Sequence, residues 1–298
     1  MAIPNKSIDF VIIGAAKAGT TSLASWLSKH PDVCMSSPKE TMFFGSPKLF
    51  DRGLAWFHTN FFSHYQGESL LGDATPAYSD RDRHPGTPER VLRTNQNTKI
   101  IYIVRNPLRK VESSWQMYSN LSFDNSSTNE HRLYCIRARE GFQSYVSDPH
   151  LLAHFMSVCS YQYQLDAWNK HFPRRHILVM FLEDLATDRA KELSRLCNFL
   201  DLNVEPLLDA QLRAENTLQD RRKPHWFTSY IGKYGIHRLL PAPMRKQLSK
   251  SRLFSAPQVS LLKPTWPGEV LSEFTSRVQP NVKNFLRTNG KSEVFYTF

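Results

Sequence analysis

The sequence contains little cysteine, and its cysteines form no closely spaced pair. Four cysteines stand far apart in 298 residues, and none belongs to a CxxC motif. A zinc site or a dense disulfide framework would need such spacing. We therefore expect Cys34, Cys135, Cys159 and Cys197 to be buried free thiols in a reducing compartment.

Long apolar runs are also missing. The first ten residues, MAIPNKSIDF, lack the apolar region of a secretory signal. No uncharged apolar run approaches the length of about 20 residues that spans a bilayer. We expect no integral membrane segment and a cytoplasmic location, with the Golgi lumen as the alternative if this is an animal catalytic domain cut from its anchor. The sequence leaves the oligomeric state open.

The sequence has an excess of positive charge. Lys and Arg number 38 against 27 Asp and Glu, which gives a formal net charge of +11. This excess suits an anionic partner such as nucleotide phosphates, an acidic glycan, nucleic acid or a membrane surface. No recognisable nucleic-acid-binding module accompanies it, so we expect no nucleic-acid partner. The eleven histidines include no HExxH motif, and we predict no metal site.

Short apolar segments alternate with helical patterns along the first two thirds of the chain. Strand patterns cover 9–14, 33–35, 69–73, 99–104 and 176–181, and helical patterns cover 20–30, 107–118, 161–172 and 188–200. This alternation predicts an α/β fold with a central parallel β-sheet flanked by helices. We interpret the chain as one domain, 1–298, with a core over about 8–202 and a less regular, basic part over 203–298. The polar, turn-rich composition of 124–130 predicts a surface loop. The basic residues, prolines and aromatics of 213–262 predict a long excursion of the chain that covers a site.

A glycine-containing loop joins the first predicted strand to the first predicted helix. It reads GAAKAGTT from Gly14 to Thr21. A strand, a loop and a helix N-terminus together present backbone N–H groups to phosphate. An ATP-type P-loop has its lysine directly after the second glycine, whereas here Thr20 stands there and the lysine is Lys17. The strand best placed for a Walker-B aspartate ends in Val104-Arg105-Asn106, so we expect anion binding without a metal.

Two motifs resemble those of the sulfotransferases that use 3'-phosphoadenosine 5'-phosphosulfate (PAPS), a family with a P-loop-NTPase-like fold. Residues 10–23, FVIIGAAKAGTTSL, resemble the loop that binds the 5'-phosphosulfate, in the style of the heparan sulfate and bacterial branch. Residues 102–115, YIVRNPLRKVESSW, resemble the strand-then-helix element that binds the 3'-phosphate. The resemblance covers about 8–202. It implies cofactor binding by Lys17, Ala18, Gly19, Thr20, Thr21, Ser22, Arg105 and Ser113, and by Arg221, Arg222 and Lys223 in a basic loop over the nucleotide.

The same resemblance implies catalytic residues. Sulfuryl transfer needs a base for the acceptor proton and a cation for the leaving phosphate. Lys17 fits the cation. In the heparan sulfate branch the base is a glutamate shortly before a Phe-Phe pair, and PKETMFF over 38–44 matches that pattern with Glu40.

The segment GDATPAY over 72–78 resembles the acceptor-side (E/D)xTPxY segment of the family. Ala74 stands where the heparan 3-O enzymes have lysine, which removes a cation from the acceptor site. Asp73 either takes part in catalysis beside Glu40 or caps the turn before Pro76. The implied acceptor-binding residues are Lys39, Asp73, Thr75, Tyr78 and His84.

The leading hypothesis is a sulfotransferase that moves a sulfuryl group from PAPS to a hydroxyl or amine and releases adenosine 3',5'-bisphosphate (PAP). The acceptor is a carbohydrate, a lipid head group or a small natural product. One alternative is a P-loop nucleotide or small-molecule kinase, which should bind ATP with Mg²⁺. The other is a basic nucleic-acid-binding protein, whose binding should fall steeply with salt.

Overall fold

The computed structural model describes residues 7–121, 128–210, 222–224, 255–257 and 264–298. The chain divides into two compact units. One comprises Met1–Arg213 with Thr265–Phe298, and the other comprises Ala214–Pro264. The prediction of a single domain over 1–298 stays a prediction.

The first unit contains a five-stranded parallel β-sheet. Its strands are β1 (Phe10–Gly14), β2 (Val33–Met35), β3 (Leu70–Ala74), β4 (Lys99–Val104) and β5 (Ile177–Phe181). Their order across the sheet is β2-β3-β1-β4-β5, and all neighbours run parallel. Almost every strand residue is buried, as continuous apolar strands are when helices cover both faces. The predicted α/β fold with a central parallel sheet is therefore confirmed.

Helices connect the strands and cover the sheet. They are α1 (Thr20–Leu27), α2 (Pro47–Phe50), α3 (Gly53–Phe61), α4 (Thr87–Thr94), α5 (Pro107–Tyr118), α6 (Asn129–Glu140), α7 (Phe142–Ser147), α8 (Pro149–Cys159), α9 (Tyr161–Asn169), α10 (Leu182–Thr187), α11 (Arg189–Leu200), α12 (Glu205–Asp209) and α13 (Gly268–Thr288). Short 3-10 helices cover Pro76–Ser79 and Arg174–His176. The bounds of α5 agree with the sequence prediction, because Pro107 fits the first turn of a helix and Asn106 caps it.

The last part of the chain corrects one prediction. Residues 203–298 were expected to be less regular, but α13 is a helix of 21 residues. Its buried side chains recur at helical spacing, and the ring of Phe285 packs against Tyr102, Tyr161 and Phe181. This helix is therefore part of the core of the first unit. The predicted excursion over 213–262 lies outside the described residues, apart from two short strands.

Apart from Pro264, those two strands are all that the structure describes of the second unit. β6 (Arg222–Pro224) and β7 (Ser255–Pro257) pair antiparallel, with Arg222 opposite Pro257.

The prediction of a surface loop over 124–130 is wrong at its C-terminal end. Helix α6 begins at Asn129, and the Thr128 side chain caps it by accepting a hydrogen bond from the His131 N–H. The threonine hydroxyl thus ends the loop earlier than composition indicated. Residues 122–127 lie outside the described residues.

All four cysteines are buried and free, as predicted. Burial, with a smaller effect of the Glu68 carboxylate, raises the pKa of Cys34 to about 11. Burial likewise raises the pKa of Cys197 to about 11. Both are neutral thiols at physiological pH and are poor nucleophiles.

Candidate functional site

The carboxyl ends of three neighbouring strands define the candidate site. β3, β1 and β4 are adjacent and parallel, so the loops that follow them leave the same edge of the sheet. Backbone hydrogen bonds tie these loops together. The Ala15 N–H donates to the Ile103 carbonyl at 2.5 Å, and the Thr75 N–H donates to the Ile12 carbonyl at 3.1 Å. Ligands of open α/β sheets bind at this edge.

The loop after β1 has the geometry of an anion-binding turn. Gly19 is the N-cap of α1 with a φ of 91°, a left-handed conformation that favours glycine. A Cβ at this position would lie 2.9 Å from Leu182 Cδ1, so any side chain here would also force Leu182 to shift. The first turn of α1 carries no acidic residue. Its leading N–H groups have no partner within the helix and point towards the loop, which fits a phosphate-like group.

Lys17 lies inside this loop and reaches α5. Its Nζ is 3.4 Å from Sδ of Met117. Ser113 stands one helical turn before Met117, and residues four apart share a helix face. The half-buried Ser113 therefore lies on the face of α5 that faces the loop.

Arg105 connects the end of β4 to the same loop. Its Nη1 donates to the Lys17 carbonyl at 3.3 Å. Its own carbonyl accepts a hydrogen bond from the Tyr161 hydroxyl at 2.5 Å. Burial lowers the pKa of Arg105, an effect that the nearby Glu183 carboxylate opposes. An arginine keeps its charge despite such a shift, so the site retains a guanidinium. The structure thus brings Arg105 into contact with the loop that carries Lys17 and places Ser113 on the adjacent face of α5. The predicted roles of the three residues in cofactor binding stay predictions.

The loop after β2 carries Glu40 towards α1. The Glu40 N–H donates to the Ala74 carbonyl at 3.2 Å, and its φ is 67°. Lys39 Nζ lies 2.9 Å from the Glu40 carboxylate and 3.3 Å from Oγ1 of Thr21 in the first turn of α1. One ammonium therefore links the predicted base to the predicted phosphate site. The Glu40 side chain is 57% exposed, so an acceptor can reach it.

The Glu40 carboxylate also acts on Tyr118, the last residue of α5. Burial raises the pKa of Tyr118, the Arg83 guanidinium lowers it, and the Glu40 carboxylate raises it. Both charged groups are therefore within electrostatic range of this phenol. Tyr118 follows Met117, the residue that Lys17 contacts. Glu40 and Lys17 thus both lie near the C-terminal end of α5.

Asp73 occupies a different place from the acceptor-facing one that the sequence predicted. It is 0% exposed, and its carboxylate accepts hydrogen bonds from Tyr78 at 2.7 Å, Ser36 and Thr41 at 2.9 Å, and Thr75 at 3.3 Å. Burial raises the pKa of Asp73, and the four hydroxyls oppose that rise.

This hydroxyl network joins the loop after β2 to the loop after β3. Thr75 and Tyr78 are buried with Asp73, so none of the three side chains is exposed to solvent. Sequence reasoning missed Ser36 and Thr41 as their partners. The available signal was Thr41, a hydroxyl residue directly after Glu40 in an otherwise apolar stretch.

His84 also lies apart from Glu40 and Lys17 in its described contacts. Its Nδ1 is 3.3 Å from the Gly45 carbonyl. It lines a cavity of about 200 Å³ together with Tyr78 and Trp168. Acceptor binding by His84 stays a prediction. Arg221 lies outside the described residues, as do the side chains of Arg222 and Lys223, and their predicted roles stay predictions too.

The described part of the chain contains neither a metal-binding cluster nor a membrane-spanning helix. Over 7–121, 128–210 and 264–298, no three His, Cys, Asp or Glu side chains are grouped closely enough to hold a metal ion. Within the same ranges, no helix combines the length and apolar character needed to cross a membrane.

Comparison with known proteins agrees with this geometry. The family profile described as a sulfotransferase domain matches residues 7–234, well over half of the chain. The chain therefore belongs to the sulfotransferase family.

Individual relatives are more distant. The membrane-associated sulfotransferase kil1 of Dictyostelium discoideum is 26% identical over 270 residues, covering 65% of this chain and 56% of the relative. The heparan sulfate glucosamine 3-O-sulfotransferase 6 of Mus musculus is 29% identical over 192 residues, covering 64% of this chain and 52% of the relative. The chain thus spans about half the length of these curated relatives.

Among solved structures, a sulfotransferase from Alicyclobacillus acidocaldarius superposes with a TM-score of 0.59. It is 20% identical and the match covers 96% of both chains. At this identity the match shows a shared fold.

Proposed function

We propose that this chain transfers a sulfuryl group from PAPS to a hydroxyl or amine of a carbohydrate or small-molecule acceptor. One observation carries the proposal. The loops that follow β1, β2 and β4 are connected at one edge of the sheet by contacts between the predicted site residues. Arg105 reaches the Lys17 carbonyl, and Lys39 links Thr21 to Glu40. This arrangement supports a donor site that lies next to the general base.

The chain's own residues suit the donor. The loop over 15–19 and the first turn of α1 would hold the 5'-phosphosulfate, and Arg105 with Ser113 would hold the 3'-phosphate. Bound PAPS would supply a sulfuryl group whose leaving group is the 5'-phosphate of PAP. The Lys17 ammonium, fixed between the loop and Met117, stabilises the charge that develops on that phosphate.

Glu40 serves as the general base. It takes the proton of the acceptor hydroxyl or amine at its carboxylate while the acceptor bonds to sulfur. Lys39 holds this carboxylate by the contact at 2.9 Å and fixes its distance from α1 through Thr21. Lys39 is therefore a positioning residue for the base and lies within reach of an anionic acceptor.

The acceptor class rests on the relatives. The Mus musculus relative is a heparan sulfate glucosamine 3-O-sulfotransferase. This supports a carbohydrate acceptor for the present chain. Ala74, however, is fully buried and carries no charge where the heparan 3-O enzymes have lysine, which favours a small-molecule acceptor as the second candidate.

Nothing observed favours a kinase or a nucleic-acid-binding protein. A kinase P-loop needs a lysine where Thr20 stands, and Thr20 is buried. The net charge of +11 is accounted for by an anionic donor and an anionic acceptor as well as by nucleic acid.

The test is a transfer assay with PAPS and a panel of acceptors. The panel should contain desulfated heparan oligosaccharides, glucosamine, simple phenols and simple amines, with mass spectrometry of products and chromatography of PAP. We expect one acceptor class to gain a sulfate with equal release of PAP. ATP with Mg²⁺ serves as the rival donor. Phosphorylation from ATP, with no PAP release in any arm, would refute the proposal.

A further inference from the structure

Residues 291–298, which we call the C-terminal segment, pack against the end of β5. Lys291 Nζ lies 2.6 Å from the Asp184 carboxylate and 5.3 Å from the centre of the Phe181 ring. The ring of Phe295 lies 5.4 Å from that of Phe181. An ion pair and an aromatic contact therefore hold the segment beside the strand that neighbours β4.

Tyr296 projects from this segment into the protein and contacts Glu183. It is 4% exposed, and its hydroxyl lies 3.3 Å from Glu183 Oε2. Burial raises the pKa of Tyr296, and the Glu183 carboxylate raises it further. The phenol therefore stays protonated and donates this hydrogen bond. The other oxygen of Glu183 accepts the Asn106 N–H at 2.9 Å.

Asn106 is the point where the segment meets the start of α5. Its side-chain amide donates to the Thr297 carbonyl at 2.9 Å. Its side-chain oxygen accepts the Arg109 N–H at 3.2 Å, the capping bond of α5. Both the backbone and the side chain of Asn106 are thus bonded to groups that the C-terminal segment supplies or orients.

Arg105 immediately precedes this anchored residue. Its guanidinium reaches the Lys17 carbonyl, and Ser113 lies two helical turns into the helix that Asn106 caps. A shift of the Asn106 corner would move the arginine and the helix relative to the phosphate loop. Such a shift would weaken binding of the 3'-phosphate, because charge-assisted hydrogen bonds to phosphate depend on angle and distance.

We propose that Tyr296, acting through Glu183 and Asn106, is a positioning residue for recognition of the 3'-phosphate by Arg105 and Ser113. The inference rests on the proposed PAPS-dependent function. Tyr296 contacts Glu183 and acts on the nucleotide site through it. It lies beyond residues 7–234, the part that the family profile matches.

The test compares two nucleotides that differ in the 3'-phosphate. Calorimetry gives the dissociation constants of PAP and of adenosine 5'-monophosphate for the wild type and for Tyr296→Phe. Loss of one hydrogen bond in the chain that orients Arg105 should weaken PAP binding about five-fold and leave the monophosphate unchanged. Tyr163→Phe is the matched control, because it also removes a tyrosine hydroxyl from a carboxylate, Asp82 at 2.7 Å. It should leave both constants unchanged.

The outcomes separate this inference from the proposed function. If Tyr296→Phe keeps the wild-type ratio of the two constants, or weakens both ligands equally, the positioning role is wrong while the proposed function stands. If the wild type itself shows no preference for PAP, both are wrong. Should Tyr296→Phe fail to fold, Asn106→Ser replaces it, because serine keeps an oxygen that can cap α5 but loses the amide that donates to the Thr297 carbonyl. The same two results then decide.

Discussion

At the scale of single residues, an uncommon backbone conformation occurs at both residues proposed to carry the chemistry. Lys17 has a φ of 68° and Glu40 a φ of 67°. Positive φ is rare outside glycine, and such strain is concentrated at functional sites. Asp201 shares this conformation at the end of α11, where it serves as a helix cap. Positive φ therefore supports the site only together with the contacts of the two residues.

Lys17→Ala should lower turnover more than nucleotide affinity. If the ammonium stabilises the leaving phosphate, kcat should fall by a factor on the order of 10² to 10³. Steady-state kinetics with PAPS, together with calorimetry of PAP, measures both quantities. Lys191→Ala, an exposed lysine on α11, is the control and should behave as the wild type. A raised KM with an intact kcat would instead make Lys17 a ground-state binding residue.

Glu40→Gln should preserve the fold and PAP affinity while turnover falls roughly 100-fold or more, because an amide cannot accept the acceptor's proton. The pH–rate profile should also lose its acidic limb. Glu89→Gln is a matched control, since Glu89 is 50% exposed and pairs with His171 at 3.0 Å, much as Glu40 pairs with Lys39. Activity of Glu40→Gln within a few-fold of the wild type would exclude Glu40 as the base.

Arg105→Ala should reduce discrimination between PAP and adenosine 5'-monophosphate. Removing a charged partner of the 3'-phosphate costs about 1.5–3 kcal/mol, which is roughly a 10- to 100-fold loss for PAP. The monophosphate constant should change little. An unchanged ratio of the two constants in titration calorimetry would remove Arg105 from the 3'-phosphate site.

At the scale of elements, α8 carries a half-buried histidine that links it to the segment after β3. His154 Nε2 accepts a hydrogen bond from Arg83 Nη1 at 2.9 Å, so this nitrogen is unprotonated. Burial lowers the pKa of His154 to about 2, and the charges of Arg83, Lys110 and His150 add to the effect. The folded protein therefore keeps this imidazole neutral well below its ordinary pKa, although the Asp80 carboxylate lies 3.8 Å from Nδ1 and favours the charged form.

The unfolded chain, by contrast, protonates His154 below its ordinary pKa of 6.5. A depressed pKa in the folded state means that the contribution of this group to stability is lost as the pH falls below 6.5. His154→Gln removes the titration. The stability of the wild type relative to this variant should thus fall by about 1.4 kcal/mol between pH 7.5 and 5.5. Urea unfolding at both pH values measures the difference, and a pH-independent difference would contradict the prediction.

Elements whose own sequence is decisive were predicted well. β4 and β5 are continuous apolar runs, and α5 has a proline and a capping asparagine at its start. Helices α6 to α8 were not predicted, and α13 was taken for irregular chain. Their stability comes from aromatic packing across elements, such as Phe285 on Tyr102 and Tyr134 on Phe155. Local periodicity does not report that packing.

At the scale of the whole molecule, one prediction follows from the excess of positive charge and from the end of β4, which reads Val104-Arg105-Asn106 where a Walker-B aspartate would stand. PAP should stabilise the protein without Mg²⁺. At a concentration 100 times its dissociation constant, PAP should add about 2.7 kcal/mol to the free energy of unfolding. Thermal unfolding with PAP, in the presence of EDTA or of Mg²⁺, gives the answer. The expected gain is equal in both buffers, and a gain that EDTA abolishes would contradict metal-free binding.

The sequence by itself determined the part of this protein that we propose binds the donor. Lys17 with its flanking glycines, and Arg105 with Ser113, each belong to one continuous motif. A strand, a turn and a helix next to each other in the chain fix their relative geometry locally. The alternation of strands and helices determined the parallel sheet for the same reason.

Only the tertiary structure decided the rest. It placed Asp73 among four hydroxyls from two loops, although its motif had indicated the acceptor site. It brought Lys39 onto Thr21, and it put Tyr296 next to Glu183, 113 residues away in sequence. Burial and hydrogen bonding depend on which surfaces meet when helices and loops pack on the sheet, and no local pattern encodes that meeting.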